Sequence, residues 1–400
     1  MGFEIKNGIL IEYEPEPGVT EVVIPDGVTE IKGFAFAEGC EAIESLTIPE
    51  SVLRIGDCAF PHGHCMKSIK LPRNVERVPR NAFNWCAGLA EILVDERNEH
   101  YASVDGVLLT KDLKKIVAFP RGKSGHYVAP ESVSSISRRT FRMCANLLSV
   151  TLPGRVEMIS FYAFDRCRNL ESVNIPNGVD KVVSPIFSEC KKLRSVKGIR
   201  EEADTDRPLF FECPGMADDD GFVIRGGVLE EYFGYRKTVT VPSGVKEIGR
   251  HAFDGHSEIT TVILPESVQK IGGGAFYGCC GLADADGFVV FRGVLYDYFG
   301  KDGAVSIPNF VTEIDDMAFY ERYNVESVIV PESVKKIGFG AFSSCDDGCL
   351  KEVTVLADDL EFDEFKNAFD GDDGVRIRGR EGSTAQRYAR ECGIPFEIIK

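Results

Sequence analysis

Three groups of residues have types and spacings that could do chemistry: one His/Cys cluster, a set of acidic turns, and a regular series of cysteines. Pro61-His-Gly-His-Cys65 is the clustered His/Cys group. Zinc takes four well-placed nitrogen or sulfur ligands. No second His/Cys pair lies in register with His62, His64 and Cys65, so a surface loop with a buried cysteine is expected. Asp218-Asp-Asp-Gly221, Asp284-Ala-Asp-Gly287 and Asp370-Gly-Asp-Asp-Gly374 concentrate carboxylates. Calcium needs six or more oxygens, and the spaced Asp-x-Asp-x-Asp-Gly pattern with a distant Glu is missing. Asp-Gly is also an ordinary turn signal, so neither metal nor cofactor is expected. There is no Gly-x-Ser-x-Gly elbow and no cysteine-protease signature. Gly272-Gly-Gly274 lacks the Lys-Ser/Thr of a phosphate loop. The histidines at 62, 64, 100, 126, 251 and 256 are scattered. No catalytic constellation emerges, and the chain is expected not to be an enzyme.

The cysteines lead from chemistry to architecture. Cys86, Cys144, Cys167, Cys190, Cys279 and Cys345 each follow a phenylalanine by three residues. Cys behaves as a small hydrophobe and is among the most buried residue types. Thirteen cysteines, an odd number in a long chain, therefore read as mostly reduced core residues rather than a disulfide framework. The phenylalanines themselves recur: Phe36, Phe60, Phe83, Phe141, Phe164, Phe187, Phe253, Phe276, Phe319 and Phe342. So do the prolines at 25, 49, 72, 130, 153, 176, 242, 265, 308 and 331, with steps of 23 or 24 within each uninterrupted run. A fixed period of this size signals a solenoid.

Val173-Asn-Ile-Pro-Asn-Gly-Val179-Asp-Lys-Val182 serves as the template coil. The period of two sends Val173 and Ile175 inward and Ser172 and Asn174 outward. Proline closes the strand because it cannot donate to a ladder. A second short strand follows, and then an Ala-Phe turn whose rings, stacked one coil apart, form an aromatic spine. The coil runs are expected at about 20–95, 128–197, 239–283 and 305–356. Between them lie hairpin interludes: 3–13 around Asn7-Gly8, then 101–109, 221–233 and 287–299. Asn-Gly and its relatives tolerate positive φ at both turn positions. Residues 198–220, rich in Glu201, Glu202, Asp204, Asp206 and Asp218–220, read as a protruding loop. At the end, Ser383 with Gln386 forms a capping box, Gly393 stops the helix, and Pro395 forbids its continuation.

These residues resemble the BspA-like leucine-rich repeat family. The carriers are the Leu264-Pro-Glu-Ser-Val-Gln-Lys-Ile-Gly-Gly-Gly-Ala-Phe276 core, the trailing Cys, the Asp-Gly-Val-Leu interludes and the Gly-Ser-Thr-Ala…Tyr-Ala…Gly-Ile-Pro-Phe ending. Pro79 and Ser137 replace the usual Gly, and His256 and Arg322 stand where Cys is common. The resemblance implies a leucine-rich-repeat solenoid, α/β to mainly β, with about ten 23-residue coils of short parallel strands and a C-terminal helix–strand cap. A single solenoid over 1–375 with a cap over 376–400 is expected. Family members look like bacterial adhesion and host-interaction modules and are usually exported, so a cell-surface or secreted location is implied. The start Met1-Gly-Phe-Glu-Ile-Lys lacks the basic and apolar stretches of a signal peptide. The chain therefore either stays in the cytoplasm or begins after a removed signal.

The net charge of −17 argues against nucleic acid, and no apolar run is long enough to span a membrane. The expected role is a non-enzymatic scaffold, monomeric, binding a protein or a glycan. The alternatives are an enzyme built on a solenoid and an architectural spacer. Binding is expected on the outward, hydroxyl-rich strand positions, Ser149, Thr151, Ser172, Asn174, Thr238, Thr240 and Thr261. Tyr232 and Tyr298 from the aromatic hairpins are expected to help, because Tyr offers contact area at low entropic cost.

Overall fold

A computed structural model describes residues 2–38, 40–199, 208–343, 349–362, 368–369 and 374–399. The chain divides into two compact units, Met1–Ala217 and Asp218–Lys400, and each is a solenoid of short parallel strands. In a coil, the first strand pairs in parallel with its counterpart in the next coil. Ser149, Ser172 and Ser195 align across three coils, as do Thr151, Asn174 and Lys197. The second strands form their own ladders, such as Glu247↔Lys270 and Glu313↔Lys336.

The marker proline does more than end a strand. Its carbonyl accepts the N–H three residues on, as in Val52 to Pro49 at 3.1 Å and Val156 to Pro153 at 3.2 Å. A proline at the start of this turn therefore fixes the Pro-x-x-Val spacing. The Ala-Phe pair has a similar cause. The Phe N–H of one coil donates to the Ala carbonyl of the next, as in Phe36 to Ala59 at 3.1 Å and Phe253 to Ala275 at 2.9 Å. The Gly after the second strand lets coils touch. A Cβ on Gly56 would lie 2.3 Å from the Gly33 nitrogen.

All ten repeat phenylalanines are buried, and their rings stack coil on coil. Phe141–Phe164 centroids lie 4.8 Å apart and Phe164–Phe187 5.1 Å. The stacks extend past the ten. Phe210 continues from Phe187 at 5.4 Å, and Phe369 continues from Phe342 at 5.1 Å. This corrects the loop expected at 198–220. Phe210–Phe211 pairs in parallel with Phe187–Ser188, and Cys213 beyond it is buried. A turn without the proline marker is still a turn. Glu201, Glu202, Asp204 and Asp206 lie outside the described residues.

The hairpins begin the coil runs. Asn7-Gly8, Asp105-Gly106, Gly226-Gly227 and Arg292-Gly293 all have positive φ at both turn positions. In three of the hairpins the second strand pairs in parallel with the first coil after it: Ile9↔Glu30, Val228↔Glu247 and Val294↔Glu313. The C-terminal helix is Thr384–Cys392, and Gly393 beyond it is left-handed at φ 73. At its start the Ser383 hydroxyl accepts from Gln386 N at 3.3 Å. Gln386 reaches back one residue further than expected, to Gly382 N at 2.8 Å. Ala385, Tyr388 and Ala389 face the core. Strand Phe396–Ile398 then pairs with Arg376–Gly379.

Candidate functional site

The hydroxyl-rich strand faces are built as the alternation requires, one in each unit. In the first unit Val150 and Val173 are buried while Ser149, Thr151 and Ser172 are half-buried and Asn174 is exposed. The His126 imidazole sits 2.7 Å from the Ser149 hydroxyl on the neighbouring strand. In the second unit Thr238, Thr240 and Thr261 are exposed, and Ile263 projects beside them. Further along the second unit, the hydroxyl face gives way to charge. Arg378 pairs with Glu352 at 3.1 Å, and Arg376 with Glu397 at 3.1 Å. The structure therefore brings Ser149, Thr151, Ser172 and Asn174 together, and separately Thr238, Thr240 and Thr261.

Tyr232 and Tyr298 are a correction. They are only 1% and 2% exposed, so they cannot contact a partner. They occupy the spine position in the hairpins. Tyr232 lies 5.5 Å from Phe253, and Tyr298 lies 5.4 Å from Phe319. Tyr232 N donates to the Ala252 carbonyl at 2.9 Å, as a spine Phe does in an ordinary coil. The hairpin near 287–299 buries both of its faces. Tyr296 packs edge-on against Phe276 at 5.3 Å, in the core before the hairpin, while Phe288 and Tyr298 belong to the core after it. Tyr235, just past the hairpin at 221–233, faces solvent at 88% exposure.

The chemically suggestive residues have structural roles, except Cys65, which against expectation is exposed. The His62 ring stacks on Trp85 at 5.4 Å. Among the described residues no group of three or more His, Cys, Asp or Glu is placed to hold a metal ion. The acidic turns cap themselves. Asp218 Oδ1 accepts from Phe222 N at 2.8 Å and Asp284 Oδ1 from Phe288 N at 2.9 Å. Of Asp370-Gly-Asp-Asp-Gly374, all but Gly374 lie outside the described residues. The twelve described cysteines are free, eight of them buried, and Cys345 lies outside the described residues.

Why a cysteine recurs is visible in the geometry. Cys86, Cys167, Cys190 and Cys279 each donate Sγ–H to the carbonyl of the spine Phe one coil earlier, at 2.7–2.9 Å. A small weak donor thus satisfies a carbonyl that water cannot reach. Burial pushes Cys144 and Cys279 up to about 12, and Cys86 up to about 11, so none is a thiolate nucleophile. The two departures from Cys follow the same logic in the first coil after a hairpin. His256 Nε2 lies 2.7 Å from the Tyr232 carbonyl. Arg322 donates to the buried Asp297 carboxylate at 2.6 Å. Burial pushes the Asp297 carboxyl up, opposed by Arg322 and by the amides of Gly278 and Tyr298.

The average charge hides one feature. Residues 121–197 carry thirteen Lys and Arg against six Asp and Glu, a net +7 inside a chain of −17. A local charge count along the sequence finds it.

Stacked parallel coils with an aromatic spine and an open, hydrophilic strand face define a leucine-rich-repeat-type solenoid. The chain belongs to the BspA type Leucine rich repeat region family, which matches residues 14–104, 117–216, 232–287 and 297–368. No curated protein matches. Among solved structures, it is similar to a leucine rich cell surface protein from Faecalibacterium prausnitzii (23% identity, 89% of this chain and 90% of that one, TM-score 0.41). It is also similar to a leucine-rich repeat protein from Bacteroides ovatus (19% identity, 100% and 97%, TM-score 0.37). A third is the pneumococcal vaccine antigen PcpA (17% identity, 98% and 83%, TM-score 0.33). Among the described residues, no helix is long and apolar enough to cross a membrane.

Proposed function

We propose that this chain is a non-enzymatic binding scaffold of the adhesion or partner-interaction type, reading a protein or glycan with the outward positions of its first strands. One observation carries the reading: small hydrogen-bonding side chains lie in register across consecutive coils, Ser149–Ser172–Ser195 and Thr151–Asn174. A coil offers few exposed residues, so a ligand must span several coils, and solenoids commonly hold partners this way. The buried, protonated thiols and self-capped acidic turns favour a scaffold over an enzyme. The membership in a repeat family supports protein binding in general; the adhesive role and cell-surface location are part of the proposal.

The test is capture of partners from candidate host or envelope material with the intact chain, followed by Ser172→Arg with Asn174→Arg. Weakening of the captured partner several-fold, with the circular dichroism spectrum retained, is expected. Unchanged binding in the folded variant would move the site off the strand face.

A further inference from the structure

The +7 segment lies on the second run of coils, and its positive charge is organised. Ser172 pairs with Ser195 and Asn174 with Lys197 in this ladder. The same register sets Arg168 at the position equivalent to Lys191 one coil on. Arg168, Lys191, Lys192, Arg194 and Lys197 are all exposed, on the Phe-Cys turns and the strands that leave them. Some cations are neutralised: Arg142 by Asp165 at 2.7 Å, Arg166 by Glu189 at 2.7 Å, and Lys191 by Glu212 at 2.9 Å. Arg168 reaches Glu189 only at 3.7 Å. Lys192, Arg194 and Lys197 make no ion pair among the described residues. On the turn of the preceding coil, Arg138 lies over the Phe161 ring at 4.2 Å. Partial burial, with Arg138 and Arg142 close by, holds the Arg139 guanidinium below its ordinary value. Positive charge is thus crowded here beyond what local carboxylates offset.

We infer that this cationic strip, from the Arg138 turn to Lys197, binds a sulfated polysaccharide. Three features select that class. Each successive coil, about 4.8 Å from the last, adds cations, and Arg168 and Lys191 stand in register, which suits a linear polymer carrying many fixed negative charges. Within 121–197 the exposed large apolar residue is Val128, whereas a folded protein partner needs a desolvated apolar or aromatic anchor. The exposed residues of the strip include no aromatic platform for stacking nucleobases, on which single-stranded nucleic acid depends. The inference narrows the glycan side of the proposed function; it rests on the charge of the turns and of Lys197, which adjoins Asn174 on the strand ladder.

The experiment uses the intact chain and fluorescently labelled heparin as probe, with unsulfated dextran, poly-glutamate and a single-stranded DNA oligonucleotide as competitors. Heparin binding that weakens steeply as NaCl rises is expected, with competition by neither dextran nor, at equal charge, poly-glutamate or DNA. Arg168→Glu, Lys192→Glu, Arg194→Glu and Lys197→Glu together should weaken it at least tenfold. Four reversals at exposed sites of the second unit, Lys237→Glu, Lys246→Glu, Lys301→Glu and Lys335→Glu, should leave it within twofold. All eight side chains are exposed, and circular dichroism checks that both variants remain folded. Absence of binding at low salt, equal losses in the two variants, or tighter binding of poly-glutamate or DNA each overturns the inference. The Ser172→Arg, Asn174→Arg variant separates the two readings: it tests the strand face by obstruction, yet it adds positive charge and should strengthen heparin binding.

Discussion

Replacing Phe164 with Ala removes one ring from the middle of a stack. The side chain is fully buried, with Phe141 4.8 Å away on one side and Phe187 5.1 Å away on the other. Phe→Ala in a core costs about 3–5 kcal/mol, depending on how far the surroundings collapse. Here they collapse little. The spacing of the coils is set by backbone bonds on both sides, Phe141 N to the Ala163 carbonyl at 2.8 Å and Phe164 N to the Ile186 carbonyl at 3.0 Å. Two stacked contacts, each worth about 0.5–1.5 kcal/mol, are lost within that total. The upper part of the range is therefore expected. For a unit of this size it corresponds to a fall in melting midpoint on the order of 10–20 °C. Calorimetry of the parent, of Phe164→Ala and of Phe34→Ala makes the comparison internal, since Phe34 is an exposed ring and its removal should cost less than about 0.5 kcal/mol. Equal midpoints for Phe164→Ala and the parent would show that the spine does not hold the coils together.

The thiols give a second expectation. In the native protein a thiol reagent should reach Cys65 and Cys280, the exposed pair, first and leave the buried thiols untouched. In denaturant without reductant most of the thirteen should react, and recovery of one or none would mean bridged cysteines. The third concerns Asp315 in the second unit, whose carboxyl accepts from Gly274 N at 2.7 Å and is pushed up to about 7 by burial, with Asp316 and Glu313 adding to the shift. The folded state thus holds the proton more tightly than the unfolded chain, whose reference value is 3.8. The resulting stabilisation is full below about 4 and is lost as pH rises through about 7, by at most a few kcal/mol. Asp315→Asn should flatten the stability–pH curve in that window, and a variant curve parallel to the parent's would refute the assignment.

The repeat was legible because each of its features has a local cause. Proline closes a strand and starts a turn, alternation sorts Val173 from Ser172, and the recurring Cys supplies a donor for the Phe carbonyl one coil earlier. The turn at Phe210 escapes a reading that follows proline, although Phe210…Cys213 repeats the spacing of Phe187…Cys190 one coil on. The burial of Tyr232 and Tyr298 was not legible, because a strand's alternation does not reveal that the hairpin tyrosine takes the place of a spine Phe, beside Phe253 and Phe319. His256 and Arg322 looked like lapses in the pattern, yet they lengthen the Cys donor to reach a hairpin. The cationic strip was hidden by averaging over a chain that is acidic elsewhere.

The two-sided hairpin near 287–299 has a consequence for descent. It closes one hydrophobic core with Tyr296 and opens the next with Tyr298. A hairpin with its following coils is therefore a heritable cassette whose junctions already match. In-frame duplication of such a cassette joins a Tyr296-type face to an existing Phe column and a Tyr298-type face to a new one, without inventing a contact. Unequal recombination between cassettes can then lengthen or shorten the array in a single event. Chains of this kind should differ among related genomes in cassette number more readily than in the sequence of any one hairpin.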